Sequence, residues 1–461
     1  MAFFSFVNAH VFGLFLPGFL FAAGIFYAFR LRFFPLFRAK TILRSLFRKE
    51  KGDGVSPFAA LSLALAGTMG VGNVVGVATA ITSGGPGAIF WMWVSALLSM
   101  LLKYAEVFLG VKYRRTDREK MHGGAFYYLR DGLGFRKGAI LFALLFLLNG
   151  LTAGSAVQVQ AAASSLENLC GVRPVFTGAL LVLLLIPAVF GFGRKISTVT
   201  EKLIPPLCLL FAAFSLFVLC RHLPELPSLF GRIVREAFSL RPAAAGVTGY
   251  GLASSLRFGV TRGILSNEAG SGTSPTAHAL AKTKSPVEQG FWGIFEVFAD
   301  TVVLCSMTAF VILLSFDRLA ETGIDGMDLA IASYAADLGP AAGVFLTVCV
   351  FLFAYATLIS QTFYGSECLF FLNGNDRGEK PYKMLFLLSV LLFPLLPTET
   401  VWEISDFSFS LMTTINTFCL LLLQKEVVRE TETAFRKSDH AENAGTRLRR
   451  RKAAKRRLFD D

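Results

Sequence analysis

Charged residues are scarce in this chain of 461 residues, because Asp, Glu, Lys and Arg together make up only 17% of it. Soluble domains carry about 25%. Apolar residues account for 54% and fall into blocks of about 20, the length of helix that crosses a hydrocarbon core of roughly 30 Å. The lack of charge and the long apolar blocks exclude a soluble globular protein and predict an all-α polytopic membrane protein.

The sequence also lacks the patterns that mark many enzymes and metal proteins. Its 7 cysteines are scattered and form no CxxC pair, its 5 histidines form no metal-spaced cluster, and GxxxxGK[ST] is absent. No Ser/His/Asp arrangement is legible. We therefore expect no disulfide framework, no zinc site, no cofactor and no enzymatic activity.

Eleven apolar segments are candidate membrane spans. The first lacks a preceding basic region and is followed at once by Arg30 and Arg32, which indicates a retained helix and not a cleaved signal peptide. The predicted spans are 9–29, 58–80, 87–111, 137–163, 174–192, 203–221, 247–263, 288–316, 340–372, 384–397 and 401–424.

Basic residues collect in the loops 30–57 and 112–137 and in the tail after Gln424, whereas the loop 317–339 is acidic. The positive-inside rule then predicts a multi-pass protein of the plasma (inner) membrane, with its N-terminus outside and its C-terminus in the cytoplasm. The net charge of +13 indicates contact of the basic loops and tail with anionic lipids, and no nucleic acid as partner. The tail, with RLRRRKAAKRR at 447–457, is expected to be disordered; RNA contact there is the weaker alternative.

Two short spans are interrupted by glycines, GTMGVGNVVGVATAITSGGPG at 67–87 and AAAGVTGYGLASSLRFGVTRG at 243–263. Glycine-broken helices at corresponding positions of two halves are typical of inverted-repeat transporters. The layout predicts an N-terminal helix with a basic loop, two five-helix repeats and a basic cytoplasmic tail. The corresponding boundaries are 1–57, 58–246, 247–425 and 426–461.

The first interrupted segment begins with GTMGVGN at 67–73. Unwound backbone is tolerated in a bilayer only where it is buried in protein or lines a cavity. Carbonyls freed there can coordinate a hard cation, and the N-terminus of a half-helix attracts a substrate carboxylate. Packing of small residues between helices, of the GxxxG kind, is an equal alternative for this segment.

A second polar and glycine-rich segment, GILSNEAGSGTSP at 263–275, contains Asn267 and Glu268. It lies at the cytoplasmic end of the second interrupted span. A gate at the inner mouth of a transport pathway is the favoured interpretation, and a loop that caps the next helix is the alternative.

Ionisable residues inside the predicted spans form a third group of candidates, because a charge at membrane depth is costly. Glu106 has Lys103 one turn earlier as a partner, which favours a structural ion pair. Glu296 and Asp300 are four residues apart and therefore share one helix face. Coupling to transport and salt bridges between helices are equal alternatives for these two carboxylates.

Hydroxyl and amide groups are unusually frequent in FAYATLISQT at 353–362, within an otherwise apolar span. They could supply oxygens to a cation. Bonding of the hydroxyls back to helix carbonyls is the alternative that the residues alone favour.

Several of these stretches resemble the alanine or glycine:cation symporter family. The longest are GTMGVGNVVGVATAITSGGPGAIFWMWVSALLSMLLKYAEVFLGVKYR (67–114), RGILSNEAGSGTSPTAHALAKT (262–283) and EVFADTVVLCSMTA (296–309). The resemblance runs from about residue 60 to 425. It implies two inverted five-helix repeats, like those of the sodium-coupled leucine transporters, plus one N-terminal helix.

The resemblance also implies roles for individual residues. Those expected around the substrate are Thr68, Gly70, Gly72, Asn73, Gln158, Gly249 and Gln361. Those expected around a sodium ion are the carbonyls of Ala66 and Met69 and the hydroxyl of Thr357, with no metal beyond this sodium site. Those expected in gating or coupling, from the residues themselves, are Asn267, Glu268, Glu296 and Asp300.

The chain departs from the family pattern inside the implied pocket. The family usually has two adjacent hydroxyls where this sequence has Ala356 and Thr357, and a tryptophan where it has Gln361. We therefore expect a symporter of alanine, glycine or a similar small amino acid, coupled to sodium or protons and working by alternating access. A non-transporting, receptor-like relative is the first alternative. An exchanger or a transporter of another small solute is the second.

Overall fold

The computed structural model describes residues 2–47, 54–117, 120–190, 196–239, 251–320, 323–396 and 398–457. These residues are almost entirely helical. The helices are α1 Ala2–Val7, α2 Gly13–Arg30, α3 Phe34–Phe37, α4 Ala39–Leu46, α5 Pro57–Thr68, α6 Val75–Gly84, α7 Gly87–Lys112, α8 Ala125–Tyr127, α9 Arg136–Leu151, α10 Val157–Cys170, α11 Pro174–Val189, α12 Ile196–Arg221, α13 Leu226–Ala237, α14 Leu252–Asn267, α15 Ser274–His278, α16 Pro286–Val297, α17 Ser306–Ala320, α18 Gly326–Leu338, α19 Ala341–Asn373, α20 Glu379–Leu392 and α21 Thr398–Arg457.

Short irregular helical turns and one hairpin complete this part of the chain. The strands β1 Arg115–Asp117 and β2 Lys120–His122 pair antiparallel, with Thr116 opposite Met121. The π-helical turns are Asn8–Phe12, Tyr128–Gly132, Thr152–Ala156 and Phe298–Cys305, and the 3-10 turns are Val71–Asn73, Leu223–Glu225, Asp376–Gly378 and Phe393–Leu395.

Each of the eleven predicted spans overlaps helical structure. Within the described ranges, seven continuous helical stretches are long and apolar enough to cross a membrane, and three shorter apolar helices accompany them. Large apolar side chains on α11 and α12 point away from the protein: Leu183 is 66% exposed and Leu209 is 70% exposed. Such a surface suits contact with hydrocarbon. The total number of spans remains a prediction.

The first predicted helix break is present. Helix α5 begins after Ser56, whose hydroxyl accepts a hydrogen bond from the backbone N–H of Ala59, with Pro57 in the first turn. It ends at Thr68, and a single 3-10 turn separates it from α6. The two half-helices α5 and α6 therefore meet at an unwound segment, which comprises residues 69–74.

The second break lies further along the chain than predicted. Residues 252–267 form the unbroken helix α14, and the chain unwinds only at residues 268–273, before α15. Gly270 and Gly272 have φ of +88° and +85°, a conformation that costs glycine little. The earlier glycines of α14 serve close packing on α7, because a side chain at Gly259 would collide with the carbonyl of Ala88. The part of the predicted break at 240–250 lies outside the described residues.

Ion pairs group the loops at two ends of the molecule. Arg38 contacts Asp439, and Lys112 contacts Glu426 of α21, which brings the basic loops and the C-terminal extension together. At the other end, Arg232 contacts Asp317. This grouping matches the predicted grouping of the loops, whereas the side that faces the cytoplasm remains a prediction.

The prediction of a disordered C-terminal tail is wrong. Helix α21 continues to Arg457 without a break. The tail is rich in Ala, Glu, Lys and Arg and contains no proline, so the membrane helix that precedes it can propagate through these good helix formers.

Candidate functional site

A cavity of about 430 Å³ lies where the two helix breaks meet. Thr68 and Gly72 of the first break line it together with Glu268 of the second. Helix α10 contributes Gln158, and α21 contributes Asp406. The structure thus brings three residues expected around the substrate, Thr68, Gly72 and Gln158, to one cavity.

Gln158 reaches the unwound backbone directly. Its side-chain carbonyl accepts a hydrogen bond of 3.4 Å from the backbone N–H of Val71. The approach requires glycine at position 70, because a Cβ there would lie 2.7 Å from Oε1 of Gln158. A carboxylate that approached the N–H of Val71 would share or displace this contact.

Asn73 holds the first break in shape and does not line the cavity. Its Oδ1 accepts a hydrogen bond of 3.2 Å from the backbone N–H of Gly70, and its Nδ2 donates one of 2.7 Å to Oδ1 of Asp300. The side chain is buried. Asn73 therefore links the unwound segment by hydrogen bonds to the π-helical turn that joins α16 to α17.

The expected cation ligands lie at the end of α5. The hydroxyl of Thr357 is 3.4 Å from the carbonyl oxygen of Met69 and also donates to the carbonyl of Phe353 at 3.1 Å. Ala66, one turn earlier on α5, is fully buried. The hydroxyl of Thr357 thus bonds back to a carbonyl of its own helix, α19, and also contacts the first break. The carbonyl end of a half-helix carries partial negative charge, which favours a cation at this place.

Gln361, another residue expected around the substrate, does not line the cavity. The side chain of Gln361 packs against Gly154, where a Cβ would lie 2.5 Å from Cδ of Gln361. It is buried and does not line the central cavity. Gly249 lies outside the described residues.

Glu296 and Asp300 share one helix face, as predicted, but their partners differ. Glu296 lies 3.5 Å from Nζ of Lys103 and accepts hydrogen bonds from Ser274 and His278. The salt bridge between helices that was one alternative for this residue is therefore present, here between α7 and α16. A role in coupling stays a prediction.

Asp300 lies deep in the protein without such compensation. Its carboxylate accepts hydrogen bonds from Asn73 at 2.7 Å, Ser266 at 2.7 Å and Thr301 at 2.9 Å. No Lys, Arg or His among the described residues forms an ion pair with it. All three donors are neutral, so the negative charge of Asp300 is compatible with a bound cation or a proton.

The second break is held by charged and polar side chains from neighbouring helices. Glu106 accepts hydrogen bonds from the backbone N–H of Gly272 at 2.8 Å and from Asn416 at 2.7 Å, and lies 3.9 Å from Lys103. The ion pair predicted for Glu106 is therefore present, although Lys103 lies nearer to Glu296.

The two gating candidates at this break stabilise its backbone. Oδ1 of Asn267 accepts a hydrogen bond of 3.0 Å from the backbone N–H of Ala269, which caps the end of α14. Glu268 adopts a φ of +50° and accepts a hydrogen bond of 2.7 Å from the hydroxyl of Thr273. Asn267 therefore stabilises the end of α14, the helix before the break, while Glu268 also faces the cavity. A gating role for the two residues stays a prediction.

Three charged residues of the cavity wall had no role predicted from the sequence. Arg262 of α14 and Glu403 and Asp406 of α21 all line the central cavity. Arg262 and Asp406 could have been found from the sequence, because both lie at the edges of apolar spans. A charged residue in such a place indicates a functional position.

A family model described as the sodium:alanine symporter family matches residues 1–447. The chain belongs to the sodium:alanine symporter family. It is 34% identical to the sodium/alanine symporter AgcS of Methanococcus maripaludis, over 95% of this chain and 98% of that protein. It is also 34% identical to GlnT of Bacillus subtilis, named a probable sodium/glutamine symporter, over 88% of this chain and 85% of that protein.

The fold is similar to that of a solved transporter. The crystal structure of MhsT in complex with L-phenylalanine superposes with a TM-score of 0.58, covering 83% of this chain and 93% of that one at 13% identity. Together with the family match, this confirms the predicted fold class, a helical transporter of the sodium-coupled leucine-transporter type. The chain is a multi-pass membrane protein of a family of cation-coupled amino-acid transporters.

Proposed function

We propose that this member of the family couples the sodium gradient to uptake of alanine, glycine or a similarly small amino acid. The observation that carries the proposal is the contact between the hydroxyl of Thr357 and the carbonyl of Met69. It unites two expected sodium ligands at the end of α5, next to a cavity lined by the expected substrate residues.

The two half-helices of the first break offer opposite partial charges. The carbonyl end of α5 suits sodium, and the amide end of α6 suits the substrate carboxylate. A cation bound at Met69 would order the unwound residues that also contact the amino acid. Each ligand would then bind more tightly to a site already ordered by the other, a coupling of about 1–3 kcal/mol in typical cases.

The second break supports the alternating-access part of the proposal. Glu268 faces the cavity, whereas Gly272 is bonded to Glu106 of α7. A movement of α14 and α15 relative to α7 would therefore require the hydrogen bond between Gly272 and Glu106 to rearrange. We place the basic loops and the basic tail in the cytoplasm, against anionic lipids of the plasma membrane, with the N-terminus outside.

Uptake of radiolabelled alanine and glycine into proteoliposomes tests the proposal. Wild type is compared with Thr357→Val, with and without an inward sodium gradient and, separately, a proton gradient. Thr362→Val is the matched control, because its hydroxyl also belongs to α19 and bonds back to the carbonyl of Leu358 without contacting the break.

Sodium-dependent accumulation that Thr357→Val depresses and Thr362→Val leaves intact would support the proposal. Accumulation that follows only the proton gradient would show that the coupling ion is the proton and not sodium. Binding without accumulation in well-incorporated protein would instead favour the non-transporting relative, for which the missing hydroxyl at Ala356 is the sequence feature.

Glutamine is a second candidate substrate. GlnT is named a probable sodium/glutamine symporter, and the cavity of about 430 Å³ carries Arg262, Glu268 and Asp406 on its wall. These groups could hydrogen-bond a side-chain amide. Competition of unlabelled glutamine with labelled alanine separates the two candidate substrates. An inhibition constant lower for unlabelled glutamine than for unlabelled alanine would favour glutamine. An absence of competition would exclude it.

A further inference from the structure

The C-terminal clamp, which comprises residues 426–439 of α21, packs along the end of the molecule that carries the basic loops. Its Thr431 is buried, and the hydroxyl of this residue lies 2.6 Å from the hydroxyl of Tyr104 in α7. Its Glu426 lies 2.6 Å from Nζ of Lys112, the last residue of α7. The clamp therefore holds the final part of α7.

Aromatic and charged side chains extend this contact to two further elements. Between ring centroids, Phe435 lies 5.2 Å from Phe34 of α3 and 6.1 Å from Phe291 of α16. Aromatic pairs of this kind stabilise a contact beyond the area that they bury. Arg38, which follows α3, donates two hydrogen bonds to the carboxylate of Asp439, at 2.7 and 2.9 Å. One stretch of helix thus joins α3, α7 and α16.

The central cavity extends toward the opposite end of the molecule. Thr79 lines it near the end of α6, and Trp402 and Glu403 line it near the beginning of α21. Helix α7 begins beside that end, at Gly87, and runs to Lys112 at the clamp. Among the described residues, none of the clamp, of α3 or of α16 lines the cavity. The cavity therefore approaches one end of α7, and the clamp lies at the other.

Buried charges close the molecule between the cavity and the clamp. Lys103 of α7 lies 3.5 Å from Glu296 of α16, and Glu106 of α7 accepts a hydrogen bond from the backbone N–H of Gly272 in the second break. The clamp holds the same two helices, because Phe291 of α16 is one of its contacts. An opening of this end must therefore separate helices that the clamp keeps together.

We propose that the C-terminal clamp is an autoinhibitory strap that keeps this end of the transporter closed. The clamp must leave α3, α7 and α16 before the end can open and release an amino acid from the central cavity. A contact that exists only in the closed state favours that state, so its loss shifts the population toward the open one. The inference rests on the proposed alternating-access function and adds to it a restraint that slows each cycle.

Two variants weaken the clamp at different contacts. Phe435→Ala removes the aromatic contacts, and Asp439→Asn removes the charge that pairs with Arg38. Arg436→Ala is the matched control, because its side chain is exposed on the same part of the helix. The initial rate of alanine uptake into proteoliposomes should rise about threefold in both clamp variants and stay unchanged in the control.

The accessibility of the closed end provides a second readout that needs no transport. Thr276 of α15 is completely buried, and α15 packs on α7. The variant Thr276→Cys should therefore react with a water-soluble maleimide only when this end opens. The purified full chain is labelled after replacement of the exposed Cys170 and Cys220 by serine, and the same chain without Thr276→Cys gives the background. Both clamp variants should raise the labelling rate, and the control should not.

A cross-link tests the same contact in the opposite direction. Arg38→Cys/Asp439→Cys is joined by a bis-maleimide in the background that lacks the two exposed cysteines. Treatment of the same double variant with N-ethylmaleimide is the control, because it modifies both thiols without joining them. The cross-linked protein should lose most of its alanine uptake and still bind labelled alanine at equilibrium, since the clamp does not line the cavity.

The labelling of Thr276→Cys separates failure of the clamp from failure of the transport function. Labelling rates that are equal with the intact and the weakened clamp would overturn the proposal and show that the extension is only a structural brace. Uptake by the cross-linked protein at the rate of its N-ethylmaleimide control would overturn it as well. Faster labelling with the weakened clamp, in protein without any gradient-driven uptake, would preserve the clamp while refuting the transport proposal.

Discussion

The side-chain amide of Asn73 donates a hydrogen bond of 2.7 Å to the carboxylate of Asp300. This contact joins the first helix break to the π-helical turn between α16 and α17. Ser266 of α14 donates to the other oxygen of the same carboxylate. One buried acid therefore connects three elements around the central cavity, and any change in its charge would be felt at the break.

Asp300→Asn should weaken the response to sodium. The amide has nearly the same shape as the carboxylate but removes the negative charge that favours a nearby cation. We expect the sodium concentration for half-maximal uptake to rise about tenfold, which corresponds to about 1.4 kcal/mol. The measurement is alanine uptake against sodium concentration in proteoliposomes.

Thr301→Val is the matched control for this change. It removes one hydrogen bond from the same carboxylate, which is 2.9 Å long in the structure, and leaves the charge in place. It should shift the sodium dependence less than Asp300→Asn. An unchanged sodium dependence in Asp300→Asn would show that this acid serves packing and not coupling.

Gly70→Ala should reduce amino-acid affinity by displacing Gln158. The added Cβ would lie 2.7 Å from Oε1 of Gln158, tighter than real contacts allow, so the side chain must move away from the break. Gly231→Ala is the control, because nothing lies within 4 Å of a Cβ at that position and Gly231 does not line the cavity. Equilibrium binding of labelled alanine measures the effect.

The double variant Gly70→Ala/Gln158→Ala identifies the cause. If displacement of Gln158 is the whole effect, the double variant should bind alanine as Gln158→Ala alone does. Losses that simply add would mean that Gly70 acts independently of Gln158.

Much of the fold could be predicted from the residues because the membrane restricts the choices. Backbone groups in hydrocarbon must be bonded internally, so each apolar block had to be a helix. The first break could be predicted because Gly70 and Gly72, which disfavour helix, lie close together between α5 and α6. The second was misplaced because glycines in α14, such as Gly259, provide close packing on α7, and a glycine that packs looks the same in sequence as one that unwinds.

The candidate site was only partly predictable, because its partners come from distant parts of the chain. The pattern placed Glu296 and Asp300 on one face but could not distinguish them. Only the fold reveals that Lys103 reaches Glu296 while Asp300 meets neutral donors. Similarly, the family resemblance implied a substrate contact for Gln361, whereas the fold packs it against Gly154.

His222 should make stability depend on pH at the end of the molecule that carries the acidic loop. Hydrogen bonding to Glu225 and also to Asp337 raises the pKa of this imidazole above its usual value of 6.5. A raised pKa means that the stabilisation is fully present below about pH 6.5 and is lost as the pH rises through the higher value in the folded protein. His222→Gln should remove this part of the pH dependence.

Melting temperatures of the purified protein between pH 5.5 and about 8.5 measure this effect. Arg221→Gln is the control, since it removes a neighbouring contact of 3.5 Å to the same Asp337 without removing a group that titrates in this range. Parallel pH curves for wild type and His222→Gln would refute the assignment.

Lys103→Met should be strongly destabilising. Lys103 is completely buried, lies 3.5 Å from Glu296 and 3.9 Å from Glu106, and donates a hydrogen bond of 2.8 Å to Ser274. Methionine preserves the shape of the side chain but leaves two acids without a counter-charge. Removing one partner of a buried ion pair costs about 3–5 kcal/mol, which thermal unfolding of the purified protein should reveal as a large fall in melting temperature.

Two further variants separate the effect of charge from that of packing. The first is a control outside the Lys103 cluster, and the second lies within it. Lys112→Met removes a partly exposed lysine that contacts Glu426 and Glu430 at 2.6 Å, and such surface pairs contribute only about 0–1 kcal/mol. The double variant Lys103→Met/Glu296→Gln removes one of the two stranded charges and should recover part of the lost stability. If it were no more stable than Lys103→Met, the loss would reflect packing around the lysine stem, and the proposed electrostatic link between α7 and α16 would be wrong.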